Sequence, residues 1–126
     1  MKKIILTDKA PAPIGPYSQA ILVENTLYTS GQIALNPKTM ELILEDIETE
    51  TKQVMNNLKA VLDAADMTFE NVVKATIFIM NMGEFARINS VYSTFFDEAT
   101  SPARETVQVA SLPLGVNVEI SMIAVK

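Results

Sequence analysis

The chain closes with two strand-like runs, Ser101-Pro-Ala-Arg-Glu-Thr-Val-Gln-Val109 and Val116-Asn-Val-Glu-Ile-Ser-Met-Ile-Ala-Val125, joined by a short loop over residues 110–115. Alternate residues of the second run are all apolar, from Val116 to Ala124. This period of two predicts a strand with one buried face. The opposite face mixes Asn117, Glu119 and Ser121 with apolar residues, so it is only half polar. Because an exposed apolar face needs cover, this feature decides the predicted architecture.

Further strands and two helices are predicted from the same kinds of pattern. An amphipathic helix is predicted over residues 48–65, where apolar residues recur every three or four positions after the candidate N-cap Asp46. Asn81 with Glu84 is similar to a capping box and predicts a second helix that ends near Phe96. The remaining strands are predicted at residues 3–6, 19–24, 27–33 and 72–80, with a hairpin turn at Asn25-Thr26.

The order β-β-β-α-β-α-β-β predicts an α+β protein with a single mixed six-stranded sheet, two helices on one face, and one domain over residues 1–126. Two helices cover only one side of such a sheet. In the strand over residues 72–80, one face is expected to carry Val73, Ala75, Ile77 and Ile79, and the opposite face Val72, Lys74, Thr76, Phe78 and Met80. We therefore expect an obligate oligomer packed sheet to sheet. A monomer with scattered exposed apolar residues is the alternative.

Composition excludes several classes of function. The 126 residues contain no Cys and no His, so catalysis by Ser-His-Asp or Cys-His groups, thiol redox chemistry and zinc sites built on His or Cys are ruled out. The net charge of −5 argues against a nucleic-acid surface. Acid–base chemistry then falls to a carboxylate with a raised pKa, a shifted Lys or an oriented water, which favours an easy reaction on a reactive substrate. We expect neither a metal nor a cofactor.

The first residues are similar to the start of a signal peptide, but Asp8 and Lys9 end the apolar run too early. No segment approaches the ~18 apolar residues of a membrane span. We therefore expect a cytoplasmic protein without a membrane partner.

Arg104 is one of only two arginines, and it lies at the mouth of the strand that begins the closing pair. A guanidinium group stays charged and fits a carboxylate through two parallel hydrogen bonds, so it needs a partner. That partner is either the carboxylate of a small substrate or a structural partner, Glu119 or Glu105. The strand pair alone favours the structural pair.

Five motifs in order give the chain an end-to-end resemblance to the RidA/YjgF (Rid) family. They are Gly15-Pro-Tyr-Ser-Gln19, Ser30-Gly-Gln32, Asn57-Leu58, the second-helix set Phe85, Asn89, Tyr92 and Phe96, and the closing signature Pro102-Ala-Arg104, Leu112-Pro113 and Val118-Glu-Ile120. The resemblance implies a chorismate-mutase-like fold and a homotrimer with a central barrel and three sites between subunits. It also implies hydrolysis of 2-iminobutanoate and 2-iminopropanoate to 2-keto acids and ammonia.

Roles for individual residues follow from this resemblance. Arg104 would bind the substrate carboxylate and Glu119 would position the attacking water. Backbone groups near Gly31 and Thr106 would hold the substrate, Tyr17 would wall the pocket, and Ser30 and Asn89 would supply hydrogen bonds. Taken singly, Ser30-Gly31 also fits a strand end, Asn89 a solvated helix position and Tyr17 a loop anchor.

Two positions depart from the family pattern. Glu105 follows the arginine where a small Ser is common, and strand alternation should aim it away from Arg104. Thr106 stands where some members have Cys, which weakens any thiol-based mechanism.

Two other functions compete with the deaminase. A non-catalytic binder of keto or amino acids that regulates amino-acid metabolism would use the same Arg104. A ribonuclease or translation inhibitor is disfavoured, because an acidic chain without His lacks phosphate-binding charge and the usual acid–base pair.

Overall fold

One mixed β-sheet forms the framework of the protein. In the computed structural model, which describes residues 1–126, its strands are β1 Lys2–Ile5, β2 Ala20–Val23, β3 Thr26–Thr29, β4 Val72–Ile79, β5 Ala103–Gln108 and β6 Val118–Val125. They lie in the order β1-β2-β3-β6-β4-β5. β4 and β5 run parallel, and every other neighbouring pair is antiparallel. This confirms the predicted α+β class with its single six-stranded sheet.

Two α-helices, α1 Ile47–Ala64 and α2 Phe85–Tyr92, complete the fold. The Asp46 side chain accepts a hydrogen bond from the Thr49 N–H at 2.7 Å, which confirms the predicted N-cap. No helix combines the length and the apolar character that crossing a bilayer would require.

The second helix is shorter than predicted. Asn81 accepts from the Gly83 N–H at 2.9 Å and caps a 3-10 turn over Met82–Glu84, without the reciprocal Glu84 bond of a capping box. α2 then ends at Tyr92, and the chain tightens into a second 3-10 turn. Phe96 leaves the helix in an extended conformation, with its ring centroid 5.2 Å from that of Phe69. Aromatic packing therefore overrides the helical periodicity.

The core lies between the helices and one face of the sheet. The alternate residues of β6 from Val118 to Ala124 are buried there, as predicted. The expected faces of Val72 and Val73 were wrong, because an irregularity in the β4–β6 register turns Val72 inward (4% exposed) and Val73 outward (49%). The β2–β3 turn was placed one residue too late: it uses Glu24 and Asn25, and Glu24 adopts a φ of 53°.

The opposite face of the sheet is open and partly apolar. The strand register aligns four of its side chains in one row, namely Ile4, Ile21, Tyr28 and Ile123. Two of them, Ile4 and Tyr28, are largely exposed. The half-apolar second face is therefore confirmed, and the oligomer that would cover it stays a prediction.

A buried carboxylate joins helix α1 to the start of β6. The Glu50 oxygens accept hydrogen bonds from the Asn117 N–H (2.7 Å), the Asn117 Nδ2 (2.8 Å) and the Val118 N–H (3.2 Å). Glu50 is fully buried. These bonds fix the backbone two residues before Glu119.

Replacing Glu50 with alanine should lower the free energy of unfolding by about 3 kcal/mol, since three donors would lose their acceptor in a buried place. Glu48→Ala is the matched control two residues earlier in the same helix. Glu48 pairs with Arg87 at the surface through bonds of 2.7 and 2.8 Å, and such exposed pairs contribute little to stability, so its loss should be much smaller. Denaturant titration measures both variants. Equal losses would contradict the bridging role of Glu50.

Candidate active site

Glu119 projects from β6 on the open side of the sheet, opposite the buried residues Val118 and Ile120. Its carboxylate is half-buried and forms no hydrogen bond or salt bridge with the rest of the chain. Burial raises the pKa of the Glu119 carboxyl above its ordinary value. An unpaired carboxylate with a raised pKa is suited to accept a proton or to orient a water molecule.

Gly31 lies directly against this carboxylate. A Cβ atom on Gly31 would lie 2.1 Å from the Glu119 Oε2, so any side chain there would displace the acid. The close approach follows from a backbone pair in which Gln32 N–H donates to Ile120 C=O (2.8 Å) and Ile120 N–H donates to Gln32 C=O (3.2 Å). The absence of a side chain at residue 31 is therefore a requirement of the Glu119 geometry.

Glu119 opens into a cavity of about 460 Å³, called here the Glu119 cavity. It brings together four of the seven predicted site residues, Tyr17, Ser30, Gly31 and Glu119. Most of the remaining wall is apolar, and its residues are Pro11, Ala12, Ile14, Gln19, Gln32, Ile33, Leu35, Pro113 and Leu114.

Two buried amide side chains hold the walls of the Glu119 cavity in place. Gln19 donates to the carbonyls of Thr7 (2.9 Å) and Pro11 (2.9 Å) and accepts from the Thr7 N–H (2.7 Å). Asn57 on α1 donates to the carbonyls of Ile33 (3.1 Å) and Leu35 (3.0 Å). Both residues belong to the quoted motifs, Gly15-Pro-Tyr-Ser-Gln19 and Asn57-Leu58, but neither was predicted to be a site residue. The signal for a structural role was in each case a polar amide beside apolar residues.

Ser30 and Tyr17 lie at the cavity with different freedom to bind. The Ser30 hydroxyl donates to the Ser18 carbonyl at 2.5 Å, so only its acceptor positions are left for a ligand. The Tyr17 hydroxyl accepts from the Ile14 N–H at 3.4 Å, and the ring is half exposed at the cavity mouth. Both observations are compatible with the structural and the ligand-binding interpretations of these residues.

Arg104 lies on β5, at the edge of the sheet, and contacts α2. Its Nη1 donates to the Asn89 Oδ1 at 2.6 Å. The guanidinium carbon lies 5.4 Å from the ring centroid of Phe85 and 5.0 Å from that of Tyr92, within cation–π distance. Asn89 is thus a positioning partner for the arginine. Arg104 and Asn89 line a second, more polar cavity, the Arg104 cavity, with Tyr92, Ser93, Phe96, Glu98, Ser101 and Pro102.

Arg104 forms no salt bridge, which overturns the structural pair with Glu119 or Glu105. Glu105 lies on the open face and pairs with Lys74 instead, as strand alternation requires. The other arginine, Arg87, is fully engaged by Glu48. The guanidinium of Arg104 is therefore the one left to bind an external carboxylate.

Two buried hydroxyl groups near Arg104 lack a hydrogen-bond partner, those of Tyr92 and Thr106. Burial raises the pKa of the Tyr92 hydroxyl, partly offset by the charge of Arg104, so the group stays protonated and able to donate. Thr106 lines neither cavity. Val109 N–H bonds to Ile79 C=O (2.9 Å), and alternation along the strand then directs the backbone groups of Thr106 to the free sheet edge.

The predicted residues thus form two separate groups in one chain. Arg104 lies on the helix side of β5, where it contacts α2, whereas Glu119 faces the open side of the sheet. The two cavities have no lining residue in common. One chain cannot place both groups on one small substrate.

Fold and site together define a small α+β protein of the RidA/YjgF class, as the motifs predicted. Two comparisons with known proteins carry this further. The model of the family described as endoribonuclease L-PSP matches residues 7–126. A mouse (Mus musculus) protein named 2-iminobutanoate/2-iminopropanoate deaminase is 46% identical over all of this chain and 93% of its own.

Solved structures agree with the sequence matches. A Rid-family protein of unknown function from Yersinia pestis superimposes with a TM-score of 0.97 at 47% identity over all of both chains. E. coli TdcF, solved with bound serine, gives a TM-score of 0.92 at 42% identity over 98% of each chain. The chain belongs to the endoribonuclease L-PSP family, which includes the RidA/YjgF proteins.

Proposed function

We propose that this protein hydrolyses reactive 2-imino acids, such as 2-iminobutanoate and 2-iminopropanoate, to 2-keto acids and ammonia. The observation that carries the proposal is the unpaired Glu119 carboxylate, held against Gly31 with a raised pKa in a largely apolar cavity. A mammalian relative with the deaminase name and 46% identity supports the same chemistry.

The reaction needs little activation. The carbon of a C=N bond is already electrophilic, so orientation of the water supplies much of the rate enhancement. In the first step Glu119 accepts a proton from water while the oxygen bonds to the imine carbon and the C=N electron pair moves to nitrogen. Glu119 then returns this proton to the nitrogen, which gives a carbinolamine. In the second step the hydroxyl proton of the carbinolamine passes through Glu119 to the nitrogen, the C–N bond breaks with its electron pair going to nitrogen, and ammonia leaves while the C=O bond forms. Glu119 thus acts first as a base and then as an acid.

Arg104 would anchor the substrate through its carboxylate. Its guanidinium has no acid of its own to bind and is held by the Asn89 oxygen and two aromatic rings. Such a group loses little freedom when it forms a bidentate pair with a ligand. The serine bound in E. coli TdcF carries a carboxylate of the same kind, beside a nitrogen-bearing carbon.

A second copy of the chain must supply one half of the site. Because Arg104 and Glu119 lie on opposite faces of the sheet, we infer a homotrimer in which Arg104 of one subunit meets the Glu119 cavity of its neighbour. The row Ile4, Ile21, Tyr28 and Ile123 on the open face supplies apolar surface for such contacts. Cytoplasmic location and a place in amino-acid metabolism stay predictions.

The proposal is tested by generating 2-iminobutanoate in situ with a threonine dehydratase and following its loss by semicarbazide trapping. Wild-type protein should accelerate the loss. Arg104→Ala should lower kcat/KM by about 10- to 150-fold, which is the loss expected when a hydrogen-bonded contact to a charged group is removed.

Arg87→Ala is the matched control, because it removes the other arginine from a surface pair with Glu48 and should leave the rate unchanged. No acceleration by wild-type protein would remove the enzyme function for this substrate. The leading function would then be a binder of keto or amino acids that uses the same Arg104.

A further inference from the structure

The Glu119 cavity is far larger than a short imino acid requires. We propose that it binds the side chain of the substrate, that the protein prefers 2-imino acids with long aliphatic side chains, and that Leu114 determines this preference. This inference rests on the proposed function, since it assigns the substrate class of the same site.

The size of the Glu119 cavity favours a long substrate side chain. About 460 Å³ equals roughly 15 water molecules at ~30 Å³ each. It also falls in the range of about 300–1,000 Å³ that is typical for pockets of drug-sized ligands. The imine carbon must lie beside Glu119 for water to be delivered to it. A methyl or ethyl side chain would fill only a small part of this volume.

The distribution of polar groups around the Glu119 cavity favours an aliphatic substrate side chain. The polar groups Ser30, Gly31 and Glu119 lie together, and no Lys or Arg lines the cavity. The substrate carboxylate therefore belongs to Arg104 of the neighbouring subunit and not to this cavity. The Gln19 amide is already engaged by backbone groups. Apart from Gln32 and Tyr17, what remains for a side chain is apolar wall, which favours aliphatic groups and leaves a charged group without an ionic partner.

The backbone conformation of Leu114 favours a role for its side chain in contact with the ligand. Leu114 adopts a left-handed backbone conformation (φ 57°, ψ 18°) that disfavours a branched side chain, and it is 64% exposed. Asn or Gly would fit this conformation at lower cost. The cost is understandable if the Leu114 side chain contacts a ligand. Ile14 (73% exposed) and Tyr17 (51%) line the same cavity.

The test uses a homologous series of imines made in situ by an amino-acid oxidase: 2-iminopropanoate, 2-iminobutanoate, 2-iminopentanoate and 2-iminohexanoate. Wild-type kcat/KM should rise about fourfold for each added methylene. In Leu114→Asn the loss should grow along the series and be largest for 2-iminohexanoate. Because Asn accepts a positive φ, the variant should keep or raise its Tm, so a folding defect would not explain the loss.

Leu44→Asn is the matched control, since Leu44 is an exposed leucine outside the cavity. It should retain the wild-type slope. Calorimetric titration with the corresponding straight-chain 2-oxo acids gives a second measurement that needs no turnover, and the association constant should rise along the same series.

The outcomes separate the inference from the proposed function. Hydrolysis that is independent of chain length, or a slope that Leu114→Asn leaves intact, overturns the inference and leaves the deaminase in place. If wild-type protein hydrolyses no imine, the deaminase falls, and the calorimetric series then decides. Binding that strengthens with chain length supports the aliphatic pocket, and flat binding overturns it.

Discussion

Replacing Glu119 with glutamine is expected to lower kcat for 2-iminobutanoate by about 10²- to 10⁴-fold, the usual contribution of a positioned acid–base group. Glutamine keeps the shape of the side chain against Gly31 but cannot accept the proton of the attacking water. Binding of 2-oxobutanoate should change little, because Arg104 anchors its carboxylate. Semicarbazide trapping measures the first quantity and calorimetry the second.

The pH dependence provides the internal check. Because burial raises the pKa of Glu119, wild-type kcat/KM should fall as pH is lowered through a value above the ordinary ~4.3 of a glutamate, and the glutamine variant should lack this limb. The pH dependence of the free energy of unfolding has the opposite sign to that of kcat/KM. Because the pKa of Glu119 is higher in the folded state than in the unfolded state, ionisation of this group disfavours the folded state. Its contribution to the free energy of unfolding is therefore present at low pH and declines as the pH rises from the unfolded-state pKa through the folded-state pKa. At neutral pH the glutamine variant should then be the more stable protein. Full turnover by the glutamine variant would contradict the acid–base role of Glu119.

Mixed assemblies of two inactive variants should recover activity. In a trimer with sites between subunits, chains carrying Arg104→Ala still supply Glu119, and chains carrying Glu119→Gln still supply Arg104. Random mixing of equal amounts would leave about a quarter of all sites intact, and about a third of the sites in trimers that contain both variants. The experiment is to co-express the two variants with different affinity tags, purify through both tags and measure imine loss.

Each variant purified alone through the same two-step procedure serves as the control and should stay inactive. Doubly tagged assemblies without activity would show that each chain holds a complete site. If no doubly tagged assembly forms and the wild-type protein has the mass of one chain, 13.8 kDa, the trimer itself is contradicted.

Much of the fold follows from local patterns in the sequence. Strand alternation identified the buried face of β6, and the N-cap at Asp46 was visible because capping needs only a short polar side chain before an apolar period. The inversion at Val72 and Val73 could not be predicted, since it arises where β4 and β6 pair across a long stretch of chain. The early end of α2 depends on the contact between Phe96 and Phe69, which is also non-local.

The site was predictable in its residues and not in its arrangement. The free guanidinium of Arg104 could be suspected from its position, and strand alternation already directed Glu105 away from it. The absence of a pair with Glu119 could not be predicted in this way. Gln19 and Asn57 stand in the quoted motifs, but their role in holding the cavity walls was missed, because the sequence does not show that an amide side chain is buried. The separation of Arg104 from Glu119 requires knowing which face each strand presents.

That separation has a consequence for how the protein behaves in a dilute cell extract. If a complete active site exists only between two chains, a newly synthesised single chain is inactive, and activity begins when the chains assemble. Specific activity then becomes a function of protein concentration and falls when dilution passes the dissociation constant of the complex. A defective copy would also affect the output of its neighbours, so a damaging substitution at Arg104 or Glu119 would act beyond the chain that carries it.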